Sequence, residues 1–165
     1  MSDSAAVSRQ PREIWLHPIH FLSFGFGSGL APVAPGTFGT LAAVPLYLLL
    51  RPASLWLYAL VTAGVVLVGI WLCDRTADAL GVHDHPAIVW DEVAGYLLTM
   101  IAAPVGWWWP LAGFALFRLF DILKPWPIRW ADRRVGGGFG IMLDDVIAGV
   151  FAWMVLQALA GWLQG

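Results

Sequence analysis

Two pairs of adjacent acids are the strongest candidates for chemistry in this sequence. Asp91-Glu92 and Asp144-Asp145 each stand beside a long apolar run, where an ionised side chain is costly unless it has a partner. If the two pairs converge, the carboxylates will repel one another unless a cation or protons lie between them. All-oxygen ligands suit a hard ion such as Mg²⁺ better than zinc. The sequence therefore predicts a Mg²⁺ site formed by Asp91, Glu92, Asp144 and Asp145.

Basic side chains are concentrated near the second acidic pair. Charged residues make up only 12% of the protein, yet residues 117–145 contain Arg118, Lys124, Arg129, Arg133 and Arg134. Guanidinium and ammonium groups are common ligands of phosphate. We therefore expect Arg118, Lys124, Arg129 and Arg133 to bind a phosphate. The competing interpretation is that Arg118 pairs with Asp121, and Arg129 with Asp132, as structural ion pairs at helical spacing.

A glycine-rich stretch, FGFGSGLAPVAPGTFGT, covers residues 24–40. Glycines let backbone N–H groups turn toward an anion, and the stretch leads into a predicted helix over Leu41–Leu50 whose N-terminus would favour negative charge. Ser28, Gly36 and Thr37 are the candidate phosphate contacts. The alternative is that small residues here only allow helices to approach closely. Neither Walker A nor GxGxxG is present, so no nucleotide is predicted.

Two further acids, Asp84 and Asp121, are candidate general bases. Asp84 lies in the sequence His83-Asp84-His85. Its histidines could bind a transition metal, but the surrounding Gly81 and Pro86 favour a turn.

The composition predicts an integral membrane protein. Of the 165 residues, 59% are hydrophobic, against about 45–50% in soluble domains, and the uncharged run Leu55–Cys73 is long enough to span a bilayer. A net charge of −2 argues against a nucleic-acid partner. We expect a disordered tail over residues 1–13 and a single membrane-embedded domain over 14–165. The sequence does not define the oligomeric state.

The topology around the acids depends on the sequence PVGWWWP, residues 104–110. The apolar runs Val93–Ala103 and Leu111–Phe120 on either side are either one helix that crosses the membrane or a hairpin of short helices. The positive-inside rule favours the hairpin, because only Arg51 is then left outside. The predicted fold is an all-α, multi-helical membrane bundle with short broken helices and a polar site on the cytoplasmic face.

Local patterns predict how the helices near the site begin and end. Arg118, Asp121 and Lys124 share one side of a helix that Pro125 and Pro127 end. The run GGGFG, residues 136–140, predicts a flexible turn, after which Asp144-Asp145 opens the final helix, Val146–Leu163. The sequences DEVAG and DDVIAG echo each other, and a glycine one turn after each acidic pair would let the two helices touch.

Acids for Mg²⁺, bases for phosphate and a surrounding membrane together indicate phosphoryl chemistry on a lipid. A transporter would place acids inside the apolar runs rather than at their ends. A partner-binding membrane protein would give the acidic pairs no role. A phosphotransferase of the CDP-alcohol type would carry a denser run of aspartates on one helix.

Four segments resemble one known family in order and spacing. GFGSGLAPVAPGTFGT, GVHDHPAIVWDE, FRLFDILKPWPIRWADRR and GGGFGIMLDDVIAG resemble phosphatidylglycerophosphatase A of Gram-negative bacteria. The resemblance implies an all-helical, Mg²⁺-dependent phosphatase of the inner membrane. It would remove the terminal phosphate of phosphatidylglycerophosphate to give phosphatidylglycerol.

Under this hypothesis the candidate residues take distinct roles. Asp91, Glu92, Asp144 and Asp145 would hold one or two Mg²⁺ ions. Arg118, Lys124 and Arg129 would bind the phosphate oxygens, and the loop around Ser28, Gly36 and Thr37 would add backbone N–H groups. Asp121 or Asp84 would act as general base, or a carboxylate would attack phosphorus directly.

Overall fold

A computed structural model describes residues 17–82 and 84–164, and every regular element in those ranges is helical. The predicted all-α class is therefore confirmed for this part of the chain. The α-helices are α1 (Pro18–Ser23), α2 (Pro35–Leu50), α3 (Leu55–Leu80), α4 (Trp90–Thr99), α5 (Trp109–Leu123), α6 (Ile128–Arg134) and α7 (Gly137–Gln164), with a 3₁₀ turn, Ser28–Leu30, between α1 and α2. The predicted tail over 1–13 and His83 lie outside the described residues.

Helix α7 is the centre of the bundle. It packs against α3, α4, α5 and α6, and Ala148, Ala152 and Leu156 on α7 are fully buried in the largest apolar cluster. Small side chains on a central helix let its neighbours approach closely. The short helix α4 is consequently buried along most of its length.

Helices α4 and α7 cross at two glycines. A Cβ atom added to Gly149 would lie 2.6 Å from the carbonyl oxygen of Gly95, too close for any side chain. The hydroxyl of Thr99 lies 2.9 Å from Gly95 O and 3.3 Å from Gly149 O, so it bridges the two backbones. The predicted glycine contact between these helices is confirmed.

Helices α3 and α7 are each long and apolar enough to cross a membrane. Much of their surface is exposed and apolar: Leu60 and Leu67 on α3 are 70% and 68% exposed, and Trp162 on α7 is 80% exposed. Helix α3 continues beyond the predicted run to Leu80, and it ends at Gly81, whose φ of +67° favours glycine.

The chain breaks between α4 and α5, as the hairpin interpretation predicts. Helix α4 ends at Thr99 and α5 begins at Trp109. The Tyr96 hydroxyl donates a hydrogen bond to Pro110 O across the break, at 3.1 Å. The start of α4 and the end of α5 therefore lie at the same end of the bundle.

The second half of the glycine-rich stretch is helical, which corrects the predicted loop. Helix α2 begins at Pro35 rather than Leu41, and proline suits the first position of a helix because its missing N–H would have no partner there. Glycine disfavours helix by about 1 kcal/mol per residue, but packing outweighs this cost here. A Cβ atom on Gly39 would lie 2.6 Å from the side chain of Val89.

The predicted flexible turn over residues 136–140 is wrong for a similar reason. Helix α7 already begins at Gly137, and Gly138 N donates to Asp74 Oδ1 on α3 at 2.9 Å. A Cβ atom on Gly138 would lie only 2.0 Å from Ile70 O, so these glycines permit close contact with α3. Asp144 and Asp145 consequently lie about two turns inside α7 rather than at its start.

Candidate metal and phosphate site

A cavity of about 340 Å³ lies where the start of α2, the start of α4, the end of α5 and the first turns of α7 meet. We call it the acidic cavity. Its charged lining residues are Asp84, Asp91, Glu92, Asp121, Asp144 and Asp145, with the bases Arg118 and Lys124. Both predicted acidic pairs therefore line one cavity.

Three acids come closest together: Asp91 and Glu92 from α4, and Asp145 from α7. Each offers a carboxylate oxygen, and these oxygens all lie within 4.8 Å of one another. The Gly95–Gly149 crossing explains this, because Asp91 and Asp145 each precede the crossing glycine by four residues and so share its helix face. This i, i+4 spacing is the sequence signal that distinguishes Asp145 from Asp144.

The three acids do not satisfy one another's hydrogen-bonding capacity. Asp91 Oδ1, Glu92 Oε2 and Asp145 Oδ2 are buried and accept no hydrogen bond within the described part of the chain. Burial raises the pKa of Asp91 well above its ordinary value, and the neighbouring Glu92 carboxylate adds to the rise. Burial likewise raises the pKa of Glu92 to about 8. A hard cation would satisfy the unpartnered oxygens, so the residues present fit Mg²⁺.

Asp144 lies in the same cavity but has a different partner. Its Oδ2 accepts a hydrogen bond from Lys124 Nζ at 2.6 Å, since consecutive side chains of a helix point in different directions. Lys124 Nζ also donates to Asp132 Oδ1 at 2.5 Å. Burial lowers the pKa of Lys124, but its bonds to Asp132 and Asp144 outweigh this effect and raise the pKa above its ordinary value.

Arg118 connects the acids of α4 and α5. Its Nη1 donates to Asp121 Oδ2 and lies 3.8 Å from Glu92 Oε1, and its side chain is only 14% exposed. The expected Arg118–Asp121 ion pair is therefore present. The other expected pair differs, because Asp132 bonds Lys124 and Arg129 Nη2 donates to Leu123 O at 3.1 Å.

Gly36 is part of the cavity wall. A Cβ atom at this position would lie 2.1 Å from Glu92 Oε1 and 3.0 Å from Arg118 Nη1. Ala34 and Pro35 line the cavity beside it, so the N-terminus of α2 faces the acids. This helix end adds positive potential to the site.

The other candidate residues lie further out. Asp84 is exposed at the cavity wall. Ser28 lies in the 3₁₀ turn, where its hydroxyl donates to Gly25 O at 2.7 Å, and the backbone N–H of Thr37 donates to Ala34 O at 2.9 Å. Neither Ser28 nor Thr37 lines the acidic cavity.

Arg129 and Arg133 line a separate groove beside the cavity. Sequence reasoning grouped them with Arg118 because all three are basic and close in sequence. The apolar walls of the cavity (Ile88, Ile122 and Ile141) were not predicted, since their residue types carry no chemical signal.

Comparison with known proteins identifies the family to which these residues belong. The sequence model for "Phosphatidylglycerophosphatase A" matches residues 21–160, which include the whole acidic cavity. The chain belongs to the phosphatidylglycerophosphatase A family. The resemblance seen in the sequence motifs is thereby confirmed.

The similarity to individual phosphatidylglycerophosphatase A proteins extends over most of the chain. The protein of Escherichia coli (strain K12) is 50% identical over 141 residues, covering 85% of this chain and 82% of the relative. That of Haemophilus influenzae is 49% identical over 150 residues, covering 90% and 92%. A protein of Bacteroides thetaiotaomicron, provisionally named phosphatidylinositol-3-phosphatase, is 40% identical over 149 residues, covering 86% and 92%. No solved structure matches the chain at a significant level.

Proposed function

We propose that the protein hydrolyses the terminal phosphate monoester of phosphatidylglycerophosphate, giving phosphatidylglycerol and inorganic phosphate, in the acidic cavity. The observation that carries the proposal is the convergence of Asp91, Glu92 and Asp145 next to Arg118 and Lys124 in a member of this family. Acids that hold a cation, placed beside bases that hold phosphate, are the parts that phosphate-ester hydrolysis requires.

Mg²⁺ is the proposed cofactor, and Asp91, Glu92 and Asp145 would hold it. When bound there, it would offset phosphate charge and lower the pKa of a water molecule. Asp144, which we also expected to bind the metal, has the additional role of fixing the Lys124 ammonium group.

Arg118, Lys124 and the N-terminus of α2 would bind the reacting phosphate. Arg118 is held by Asp121 and Lys124 by Asp132 and Asp144, so both cations are oriented before substrate arrives. Preoriented donors stabilise charge that develops on the phosphoryl oxygens without further reorganisation. Gly36 lets the Glu92 carboxylate lie against this helix N-terminus, where any larger side chain would displace it.

The reaction consumes one water molecule. Its oxygen forms a bond to phosphorus as the ester P–O bond breaks, and the freed glycerol oxygen takes up a proton. Asp84 or Asp121 would accept the proton of the attacking water, since both line the cavity. Replacing each in turn by Asn tests this role, because loss of the base lowers kcat.

We infer that the bundle is embedded in the bacterial inner membrane with the acidic cavity at the cytoplasmic face. The two long helices and their exposed apolar surfaces support the membrane assignment. Arg51 lines a small pocket with Met100, Ala102 and Ala103 at the end of the bundle away from the cavity. Arg118, Lys124 and the arginines of α6 instead line the cavity or the adjoining groove. This asymmetry is the one that the positive-inside rule describes.

The decisive test uses purified protein in nonionic detergent with phosphatidylglycerophosphate. We expect equimolar phosphate and phosphatidylglycerol with Mg²⁺, and neither product with EDTA. Absence of phosphate release under every divalent-cation condition would reject the proposed activity.

A further inference from the structure

A second concave surface adjoins the acidic cavity. This surface, the basic groove, has a volume of about 440 Å³ and is lined by Lys124, Trp126, Arg129, Trp130, Arg133 and Arg134. It is formed by α6 and the turn that precedes it. The acids that define the neighbouring cavity do not line this groove.

The charge of the groove suits an anion. Arg129, Arg133 and Arg134 take part in no ion pair with any acid of residues 17–82 and 84–164. Each guanidinium presents a planar fork of donors that matches phosphate oxygens. The bond from Arg129 Nη2 to Leu123 O fixes one of these side chains against the end of α5.

Lys124 makes the groove and the cavity continuous, since it lines both. Its ammonium group bonds Asp144 on the cavity side and Asp132 of α6. A ligand with two phosphates joined by a short linker would therefore meet one group of cations at each end.

Two exposed tryptophans indicate the level of the groove relative to the membrane. Trp126 is 80% exposed and Trp130 is 51% exposed, although both are large and mostly apolar. Indole rings are enriched at the boundary between lipid and water. The phosphodiester of a phospholipid lies at the same boundary.

We propose that the basic groove binds the phosphodiester of the same lipid whose terminal phosphate monoester occupies the acidic cavity. The proposal rests on the proposed function and adds to it a second phosphate subsite. Arg129 and Arg133 thus take the substrate's second phosphate instead of the reacting one. Lys124 lies between the two phosphates.

The test measures lipid hydrolysis in nonionic micelles with two soluble inhibitors. One is deacylated phosphatidylglycerophosphate, which has both a diester and a monoester; the other is glycerol 3-phosphate, which has only a monoester. For the wild type we expect the first to inhibit at about tenfold lower concentration, the effect of one charge-assisted contact. Arg133→Gln should remove this difference, raise KM for the lipid about tenfold and leave kcat within about twofold.

Arg75→Gln is the matched control, because Arg75 is an exposed arginine of α3 that lines neither site. It should behave as wild type, and Arg133→Lys should recover part of the preference. An unchanged preference in Arg133→Gln overturns the proposal. So does a defect confined to vesicles rich in anionic lipid, which would assign the groove to general membrane attraction. A wild type that releases no phosphate would instead reject the proposed function itself.

Discussion

The acidic cavity and the basic groove are neighbours with opposite charge and opposite construction. The cavity is built from four helices and contains buried acids, three of which have oxygens with no hydrogen-bond partner among the described residues. The groove is built from one short helix and its preceding turn, and its three arginines are exposed. Under the proposed function, the cavity would perform chemistry that requires desolvated charges, and the groove would select the ligand.

The largest expected effect comes from removing one acid of the cavity. Asp145→Asn should lower phosphate release about a thousandfold, because a metal contributes several kcal/mol of charge stabilisation. It also removes repulsion among unpartnered acids, so the variant should be at least as thermally stable as wild type in EDTA. Activity and thermal unfolding in detergent measure both effects. Asp78→Asn, at an exposed acid of α3, is the control, and near-normal activity of Asp145→Asn would remove that residue from the site.

Removal of the metal should distinguish the acidic cavity from the basic groove. EDTA should lower activity at least a hundredfold, and Mg²⁺ should restore it, for the same reason of charge stabilisation. The Mg²⁺ concentration for half-maximal rate should be the same in Arg133→Gln as in wild type. A shifted Mg²⁺ requirement in that variant would mean that the groove and the cavity form one site.

A smaller effect is expected at the wall of the cavity. Gly36→Ala places a methyl group 2.1 Å from Glu92 Oε1, and the carboxylate must move. We expect about a tenfold loss of kcat, since overpacking costs about 1–3 kcal/mol. Gly64→Ala is the control, because a Cβ atom there would have no atom of the described residues within 4 Å; it should keep full activity. Equal rates for the two variants would show that Glu92 tolerates displacement.

The smallest expected effect is that of ionic strength on KM. Raising salt from about 50 mM to about 300 mM should increase KM of the wild type a few-fold, because exposed charges are screened more than buried ones. Arg133→Gln should show a flatter dependence. The measurement is steady-state phosphate release in neutral micelles, where the micelle carries no charge of its own. A change in kcat rather than KM would place the screened charges in the cavity.

The sequence predicted the helical class, the family and the convergence of the acids, because residue types and periodicity carry that information. It did not predict where α2 and α7 begin. Local propensity assigns the glycines near Gly36 and Gly138 to loops, whereas contacts with Glu92 and Ile70, distant in sequence, favour helix. Which bases share a surface also depends on contacts between residues distant in sequence. The sequence therefore grouped all the bases together, although Arg118 and Arg133 face different surfaces.

The crossing of Gly95 and Gly149 is the point of closest approach between α4 and α7, about which a change in their crossing angle would pivot. Asp91 and Asp145 each lie one turn from it, about 6 Å along their helices at a rise of 1.5 Å per residue. A change of about 10° in the crossing angle would therefore move the carboxylates by only about 1 Å, but the far end of α7 by about 4 Å. In the proposed membrane orientation, such a change would let the outer helix ends adjust to bilayers of different thickness while the gap between the acids stayed nearly constant.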